Sequence, residues 1–263
     1  EENYDKLVYS VKLGGDRKQR QEIDAPRVEQ VFYWPQPAAW TEATGAMESG
    51  DFGAALAKFQ ELAKDRKSRR WLRTYSLYNI ARIYENSGDL KAANQTWEQL
   101  VTDYKKSRFV PDAHIRMGLN FDNMGDAAAA RSSFGKLGRI PGLPAGKKAL
   151  GRYYEILIKQ KQGQAREGRP PNTGLLKQAL NEYKKLLSET ENDDELKEVA
   201  NRARLGVGTC QVYLGQYAEA LAFFEKIAAS TDDKGVLAGA FNGLGLCYYM
   251  QNNWEDALLA FLR

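Results

Sequence analysis

The chain has 263 residues, of which 43% are hydrophobic and 27% are charged, and its net charge is +4 at pH 7. This composition excludes disordered and collagen-like classes, and the charge is too small to require a nucleic-acid or membrane-surface partner. Two cysteines and one histidine exclude a disulfide scaffold, a four-thiolate zinc site and most histidine-dependent catalysis. We find neither a signal peptide nor an apolar run of about 18 residues that could span a membrane.

Residues 1–35 predict a small β element. A β-rich run, Leu7–Leu13, is followed by Gly14 and Gly15, and Val28–Trp34 is a second β-rich run. We therefore expect a two- or three-stranded hairpin or meander from about Lys6 to Tyr33. Because isolated hairpins are only marginally stable, it should pack on the helices that follow or add to the sheet edge of another chain.

From residue 36 onward the sequence repeats with a period of 37 or 38 residues. Each unit has a turn, an alanine a few residues later and an aromatic residue four residues beyond that alanine. This spacing predicts two amphipathic helices joined by a tight turn, with the small residue at the crossing of the helices and the aromatic ring filling the space between neighbouring units. The turns, alanines and aromatic residues are Gly50, Gly88, Gly125 and Gly215; Ala55, Ala93, Ala130, Ala220 and Ala257; and Phe59, Trp97, Phe134, Phe224 and Phe261.

This pattern resembles the tetratricopeptide repeat (TPR) family, at a period slightly longer than its usual value of about 34 residues. The resemblance covers residues 36–263 and implies an all-α, right-handed superhelix (an α-solenoid) of about six helix-turn-helix repeats. We expect the fourth repeat to be interrupted by a loop at about residues 162–173, where Pro170 and Pro171 cannot continue a helix. The sixth repeat is incomplete at Arg263, so we expect the native chain to continue or a partner to cover this end.

The first helices of such a superhelix line its concave side, so residues beside their packing faces should form a wall. Exposed tyrosine, tryptophan and arginine side chains in a groove are typical anchors for a peptide. We take Tyr75, Tyr78 and Arg82 as the main anchors; some of the wall residues could instead pack together. The predicted partner-binding groove contains Trp40, Met47, Tyr75, Tyr78, Arg82, Glu85, Ile115, Leu119, Lys148, Arg152, Asn242 and Tyr249.

Other features have simpler interpretations than a catalytic or ligand site. The segment Gly142–Lys148 lacks the spacing and the hydroxyl residue of a phosphate-binding loop. His114 lies on an apolar face, which predicts a packed side chain, and we expect Cys210 and Cys247 to be buried free thiols. Basic residues cluster at Lys64–Arg73 and at Lys159–Arg169, and solvated loop charge is the expected interpretation of both.

The sequence predicts a noncatalytic scaffold that binds a protein or peptide segment in its groove, without a cofactor, a metal, nucleic acid or insertion into a membrane. The alternative is self-assembly through the N-terminal β edge or the last repeat. The linker Tyr104–Ala113 resembles linkers in TPR proteins of the bacterial envelope. This resemblance implies a periplasmic or envelope protein, with the cytoplasm as the second choice.

Overall fold

The computed structural model describes residues 6–12, 18–24, 36–164 and 170–263. These residues divide into two compact units, Glu1–Pro144 and Ala145–Arg263. The boundary between the units follows the third helical hairpin. Within each unit, consecutive helices pack as antiparallel pairs, as expected for an all-α TPR fold with a small β element.

The first unit begins with two antiparallel strands, β1 (Lys6–Lys12) and β2 (Lys18–Asp24), in a register that pairs Lys6 with Asp24. The first strand agrees with the prediction, whereas β2 is more polar than the β-rich run that we expected to continue the sheet. Its pairing is supported by an ion pair of 3.2 Å between Lys6 Nζ and Glu22 Oε2. The predicted turn at Gly14–Gly15 and the run Val28–Trp34 lie outside the described residues.

Six helices complete the first unit and form three hairpins. They are α1 (Ala38–Glu48), α2 (Phe52–Lys64), α3 (Arg70–Asn86), α4 (Leu90–Asp103), α5 (Val110–Asn123) and α6 (Ala127–Gly138).

The second unit has six further helices. They are α7 (Ala145–Gly163), α8 (Thr173–Thr190), α9 (Lys197–Tyr213), α10 (Tyr217–Ala229), α11 (Lys234–Met250) and α12 (Trp254–Phe261). A turn of 3₁₀ helix, Asp194–Leu196, precedes α9, so the acidic stretch between α8 and α9 is mainly a connector. Helices α7 and α8 are separated by residues 164–172, of which 165–169 lie outside the described residues.

The tight turns within the hairpins form as the sequence predicts. Gly50, Gly88, Gly125 and Gly215 have φ angles between 77° and 81°, a backbone conformation that suits glycine. In the first unit an aspartate follows each of these glycines and caps the next helix, for example Asp89, whose carboxylate accepts a 3.0 Å hydrogen bond from Ala92 N. Each glycine-aspartate pair therefore ends one helix and begins the next.

Within each unit, the core lies between the two helices of each hairpin and between successive hairpins. The repeated alanines are buried, and the repeated aromatic residues Phe59, Trp97, Phe134 and Phe224 are fully buried. Gly118 shows why small residues are needed on the first helices: a Cβ atom at this position would lie 2.5 Å from the Phe134 ring. The predicted roles of the small residues at the helix crossings and of the buried aromatic residues are thus confirmed in these repeats.

Candidate partner-binding face

Helix α3 presents the three predicted anchors on one stripe. Tyr75, Tyr78 and Arg82 are spaced by three and four residues, which places them on one face of a helix. All three side chains are partly exposed. Arg82 makes no ion pair with any residue that the structure describes, and its guanidinium lies over the Tyr78 ring, 5.9 Å from the ring centroid. The stripe therefore offers aromatic surface and a positive charge together.

The stripe belongs to an aromatic cluster that crosses the first unit. Tyr75 and Tyr78 both contact Phe109, with ring centroids 4.7 and 4.5 Å apart. Tyr78 also meets Trp97 edge-on at 5.3 Å, and Tyr75 meets Trp40 at 6.2 Å. Edge-to-face contacts of this kind contribute about 0.5–1.5 kcal/mol each beyond their buried area. The two tyrosines are thus held in fixed positions before any partner binds.

Phe109 is the residue of this face that the sequence analysis missed as a contact. It lies between α4 and α5, immediately before Val110, and it is partly exposed. Its position in a linker gave no helical spacing to follow. The only sequence signal was an aromatic residue close to a proline, Pro111, which lies in the first turn of the next helix.

Arginines surround the cluster. Arg108 lies over the Phe109 ring and Arg116 lies over the Trp97 ring, each 5.9 Å from the ring centroid. Cation–π contacts of this kind contribute about 0.5–1 kcal/mol at exposed sites. We call Tyr75, Tyr78, Arg82 and Phe109 the aromatic–arginine face.

Glu85, predicted as a groove residue, is the centre of a polar network that joins three helices. Its Oε1 accepts hydrogen bonds from Trp97 Nε1 at 2.8 Å and from Asn120 Nδ2 at 3.1 Å. Its Oε2 pairs with Arg116 at 2.7 Å. Asn120 Nδ2 also donates to Asn94 Oδ1 at 2.9 Å. With these three donors around its carboxylate, Glu85 connects α3, α4 and α5 and holds together the helices that carry the aromatic–arginine face.

The other predicted groove residues of the first unit differ in exposure. Trp40 is buried in the core, where its ring contacts Phe59 at 5.4 Å. Met47 is partly buried and packs against the same core. Ile115 is partly exposed, and Leu119 on α5 is 37% exposed. Leu119 is therefore the most accessible apolar side chain among them.

The predicted groove residues of the second unit lie on α7 and α11. Lys148 is partly exposed, and the exposed Arg152 pairs with Glu189 on α8, which lowers the pKa of that carboxyl. Asn242 is exposed, and Tyr249 is 51% exposed and meets the Trp254 ring at 5.1 Å.

The titratable groups expected to be structural are buried. His114 is 4% exposed, and its burial, together with the nearby Lys136 charge, lowers its pKa to about 4. Cys210 and Cys247 are free and buried, as predicted, and burial raises the pKa of their thiols to about 12 and about 11. A thiol with such a pKa stays protonated at neutral pH and is a poor nucleophile. Within the described residues, no group of three or more histidine, cysteine, aspartate or glutamate side chains could hold a metal ion.

A membrane-spanning segment is likewise not found among the described helices: each is too short or too polar to cross a bilayer.

Comparisons with known proteins agree with the repeat pattern. Residues 75–107, which cover most of α3 and α4, match the tetratricopeptide repeat family model. The crystal structure of MamA protein is similar, with 17% sequence identity, a TM-score of 0.52, and coverage of 75% of this chain and 92% of that chain. No curated protein sequence matches the chain.

A second similar structure is that of nearly identical TPR-like repeats from a Podospora anserina putative kinesin light chain. It has 14% identity and a TM-score of 0.51, and the match covers 73% of this chain and 92% of that chain. At these identities the likeness shows the fold alone, and the assignment to the bacterial envelope stays a prediction. The chain therefore carries a tetratricopeptide repeat and has the all-α fold of TPR solenoids.

Proposed function

We propose that the chain is a noncatalytic scaffold whose first unit binds a segment of a partner protein on the aromatic–arginine face. TPR folds commonly serve as scaffolds for protein–protein interaction, which supports the general assignment. The observation that carries the finer proposal is the arrangement of Tyr75, Tyr78 and Arg82. Two tyrosines are fixed against Phe109, and an arginine without an ion-pair partner among the described residues lies over one of them.

The chemistry of this face suits a segment with an apolar or aromatic side chain. Tyrosine and arginine are enriched among the residues that carry most of the binding energy in interfaces, because they combine large contact area with hydrogen-bonding groups. The aromatic rings are already packed, so a partner would pay little entropy for ordering them. Leu119, exposed on α5, extends the apolar surface available to the segment.

Capture of the partner by variants of the full chain tests the proposal. Alanine at Tyr78 and Arg82 together should abolish capture, but Tyr78 also packs against Trp97, so its removal could disturb the core. We therefore add Arg82→Ala with Leu119→Ala, which should weaken capture about tenfold or more without lowering the melting temperature. Arg131→Ala, at an exposed position on α6, is the matched control. Unchanged capture by the Arg82 and Leu119 variant would contradict the proposal.

Self-assembly remains the second candidate, because α12 and the residue that follows it expose large apolar side chains. Leu258 is 60% exposed and Leu262 is 75% exposed. Light scattering over a concentration series separates the two candidates: a scaffold of the first kind stays monomeric at all concentrations. A mass that rises with concentration and returns to that of a monomer in Leu258→Lys would favour assembly.

A further inference from the structure

One end of the first unit carries a strong concentration of positive charge. Residues 64–73 contain six cationic side chains and one aspartate, a net charge of +5, and residues 103–108 contain three cationic side chains and one aspartate, a net charge of +2. These two segments together therefore carry more positive charge than the whole chain, whose net charge is +4. The cationic residues are Lys64, Arg66, Lys67, Arg69, Arg70, Arg73, Lys105, Lys106 and Arg108.

The two segments meet at the same end of the helices. The first connects α2 to the start of α3, and the second connects the end of α4 to α5. Because α3 and α4 form an antiparallel hairpin, the start of α3 lies beside the end of α4. Arg70 and Arg73 of the first segment both lie over the ring of Tyr104 in the second, 5.8 Å from its centroid. We call this joint surface the basic end.

Most of this charge is not neutralised within the protein. None of the cationic side chains from Lys64 to Arg73, nor Lys105 or Lys106, forms an ion pair with a residue that the structure describes. Of the two aspartates in these segments, Asp65 uses its carboxylate in the turn, where it accepts hydrogen bonds from Lys67 N at 2.9 Å and Ser68 Oγ at 2.7 Å. The basic end therefore presents a positive field to solvent.

The other end of the same helices is acidic. The hairpin turns and the helix ends beside them contain Glu48 and Asp51, then Asp89, then Asp122 and Asp126, with no lysine or arginine within residues 48–51, 86–89 or 122–126. The first unit is thus positive at one end and negative at the other. A charged segment that lies along α3 would be oriented by this difference.

We propose that the basic end binds carboxylate side chains of the partner segment, so that the segment is acidic next to the part held by the aromatic–arginine face. The inference rests on the proposed function, because the two surfaces are continuous: Arg108 of the basic end lies over Phe109 of the face. Arginine predominates at this end, and its planar guanidinium binds carboxylates through two parallel hydrogen bonds.

Two other polyanions fit the basic end less well. A single-stranded nucleic acid is normally held by exposed aromatic rings on which its bases stack. A membrane surface is normally engaged by apolar side chains as well as by charge. The rings nearest the basic end, Trp71, Tyr75 and Phe109, are only partly exposed and pack edge-on against one another, so they do not present open faces on which bases could stack. Neither segment of the basic end has a large hydrophobic side chain among the exposed ones of the described chain, as a membrane surface would require. An acidic peptide needs only the guanidinium and ammonium groups together with the neighbouring face.

Fluorescence anisotropy of the full chain with defined peptides tests the inference. The probe is a fluorescein-labelled peptide in which glutamates surround a single tryptophan, and its counterpart has glutamine at every glutamate position. The acidic peptide should bind about tenfold more tightly than its counterpart at low salt, and the difference should shrink at high salt because salt screens exposed charges.

Charge-removing variants locate the binding surface. Arg66→Gln, Lys67→Gln and Arg69→Gln together should weaken binding of the acidic peptide about tenfold. The matched control removes the same charge from exposed lysines of the second unit, through Lys177→Gln, Lys184→Gln and Lys226→Gln, and should change affinity less than about twofold. Equal affinity for both peptides, or an equal loss in the control, would overturn the inference.

The same assay separates this inference from its rivals and from the proposed function. Tighter binding of an oligothymidylate or of phosphatidylserine vesicles, lost in the same triple variant, would overturn the inference in favour of that other polyanion. If the peptides do not distinguish charge while Arg82→Ala with Leu119→Ala still weakens capture of the partner, the inference fails and the proposed function stands. If capture is also unchanged, both fail.

Discussion

The two units use the same repeat pattern but hold their first helices in different ways. In the first unit, α3 and α5 are connected by large and polar side chains, with Glu85 pairing to Arg116 and Asn120. In the second unit, α9 and α11 approach through glycines: a Cβ atom at Gly239 would lie 2.5 Å from Leu205. Side chains that bridge helices leave aromatic and charged groups at the surface, whereas glycines bring the backbones together.

The interiors of the two units also differ in polarity. Within the described residues, the buried polar side chains are concentrated in the first unit, which contains Thr74, Ser76, Asn94, Thr96, Ser107, His114, Asn120 and Ser133. The second unit buries Gln160 and Thr190. One repeat signature can therefore support either polar side-chain bridges between helices or close packing of apolar helices. The candidate face lies in the unit with the bridged surface.

The largest loss of stability is expected for a substitution at Gly243 on α11. An added Cβ would lie 2.4 Å from the fully buried Phe224 ring, so Gly243→Ala forces the helices apart and should destabilise the second unit by about 3 kcal/mol. Gly146→Ala on α7 is the control, because its Cβ would meet Leu196 at an ordinary 3.6 Å. Guanidinium unfolding followed by circular dichroism measures both. Equal stability of the two variants would mean that the glycines do not set the close approach.

Acid should destabilise the first unit more than the second, because the first unit contains His114, the single histidine of the chain. Its pKa is lowered from 6.5 to about 4 in the folded state, so the stability that it contributes is present above pH 6.5 and is lost as the pH falls toward 4. Between pH 7 and pH 5 the loss should be about 2 kcal/mol in the first unit. Hydrogen exchange at both pH values measures each unit separately.

A control for the acid effect is His114→Gln, which cannot gain a proton in this range. Its first unit should keep the same stability at pH 7 and pH 5. An imidazole signal that titrates near pH 6.5 in the folded protein would contradict the burial of His114.

A smaller loss of stability is expected when the hydrogen-bond network around Glu85 is weakened. Glu85→Gln keeps the shape but removes the charge that accepts from Trp97, Asn120 and Arg116, and it should cost the first unit about 1–2 kcal/mol. Glu198→Gln removes an exposed pair with Arg202 within α9 and should cost less than about 0.5 kcal/mol. Thermal melting compares the two, and a Glu85→Gln loss no larger than that of Glu198→Gln would show that the network does not connect the helices.

Much of the fold could be predicted from the sequence because turns and core positions recur at a fixed spacing. Gly88 must adopt a positive φ and Asp89 must cap the next helix, and any sequence with this spacing must meet both requirements. The polar strand β2 was harder to predict, since its stability comes from backbone pairing with β1 and not from β-forming side chains. The boundary after Pro144 leaves no local signal, because it depends on which helices pack together.

The candidate site was less predictable than the fold. Helical spacing predicts that Tyr75, Tyr78 and Arg82 share one face of α3, where all three are partly exposed. Spacing alone does not show which side chains a neighbouring helix will contact. Glu85 lies on the same helix and is taken up by the network, and Phe109 enters from a linker with no periodicity. Both depend on contacts between repeats, which are distant in sequence.

Photo-crosslinking from the first unit, in cells of the source organism, tests whether the aromatic–arginine face binds a partner. A photoreactive residue placed at Leu119, the exposed apolar residue of α5, should capture one partner, and Arg82→Ala should strongly reduce that product. The same residue at exposed Glu98 on α4 is the control and should not capture that partner. Equal crosslinking from both positions, or a product at Leu119 that is insensitive to Arg82→Ala, would contradict the account.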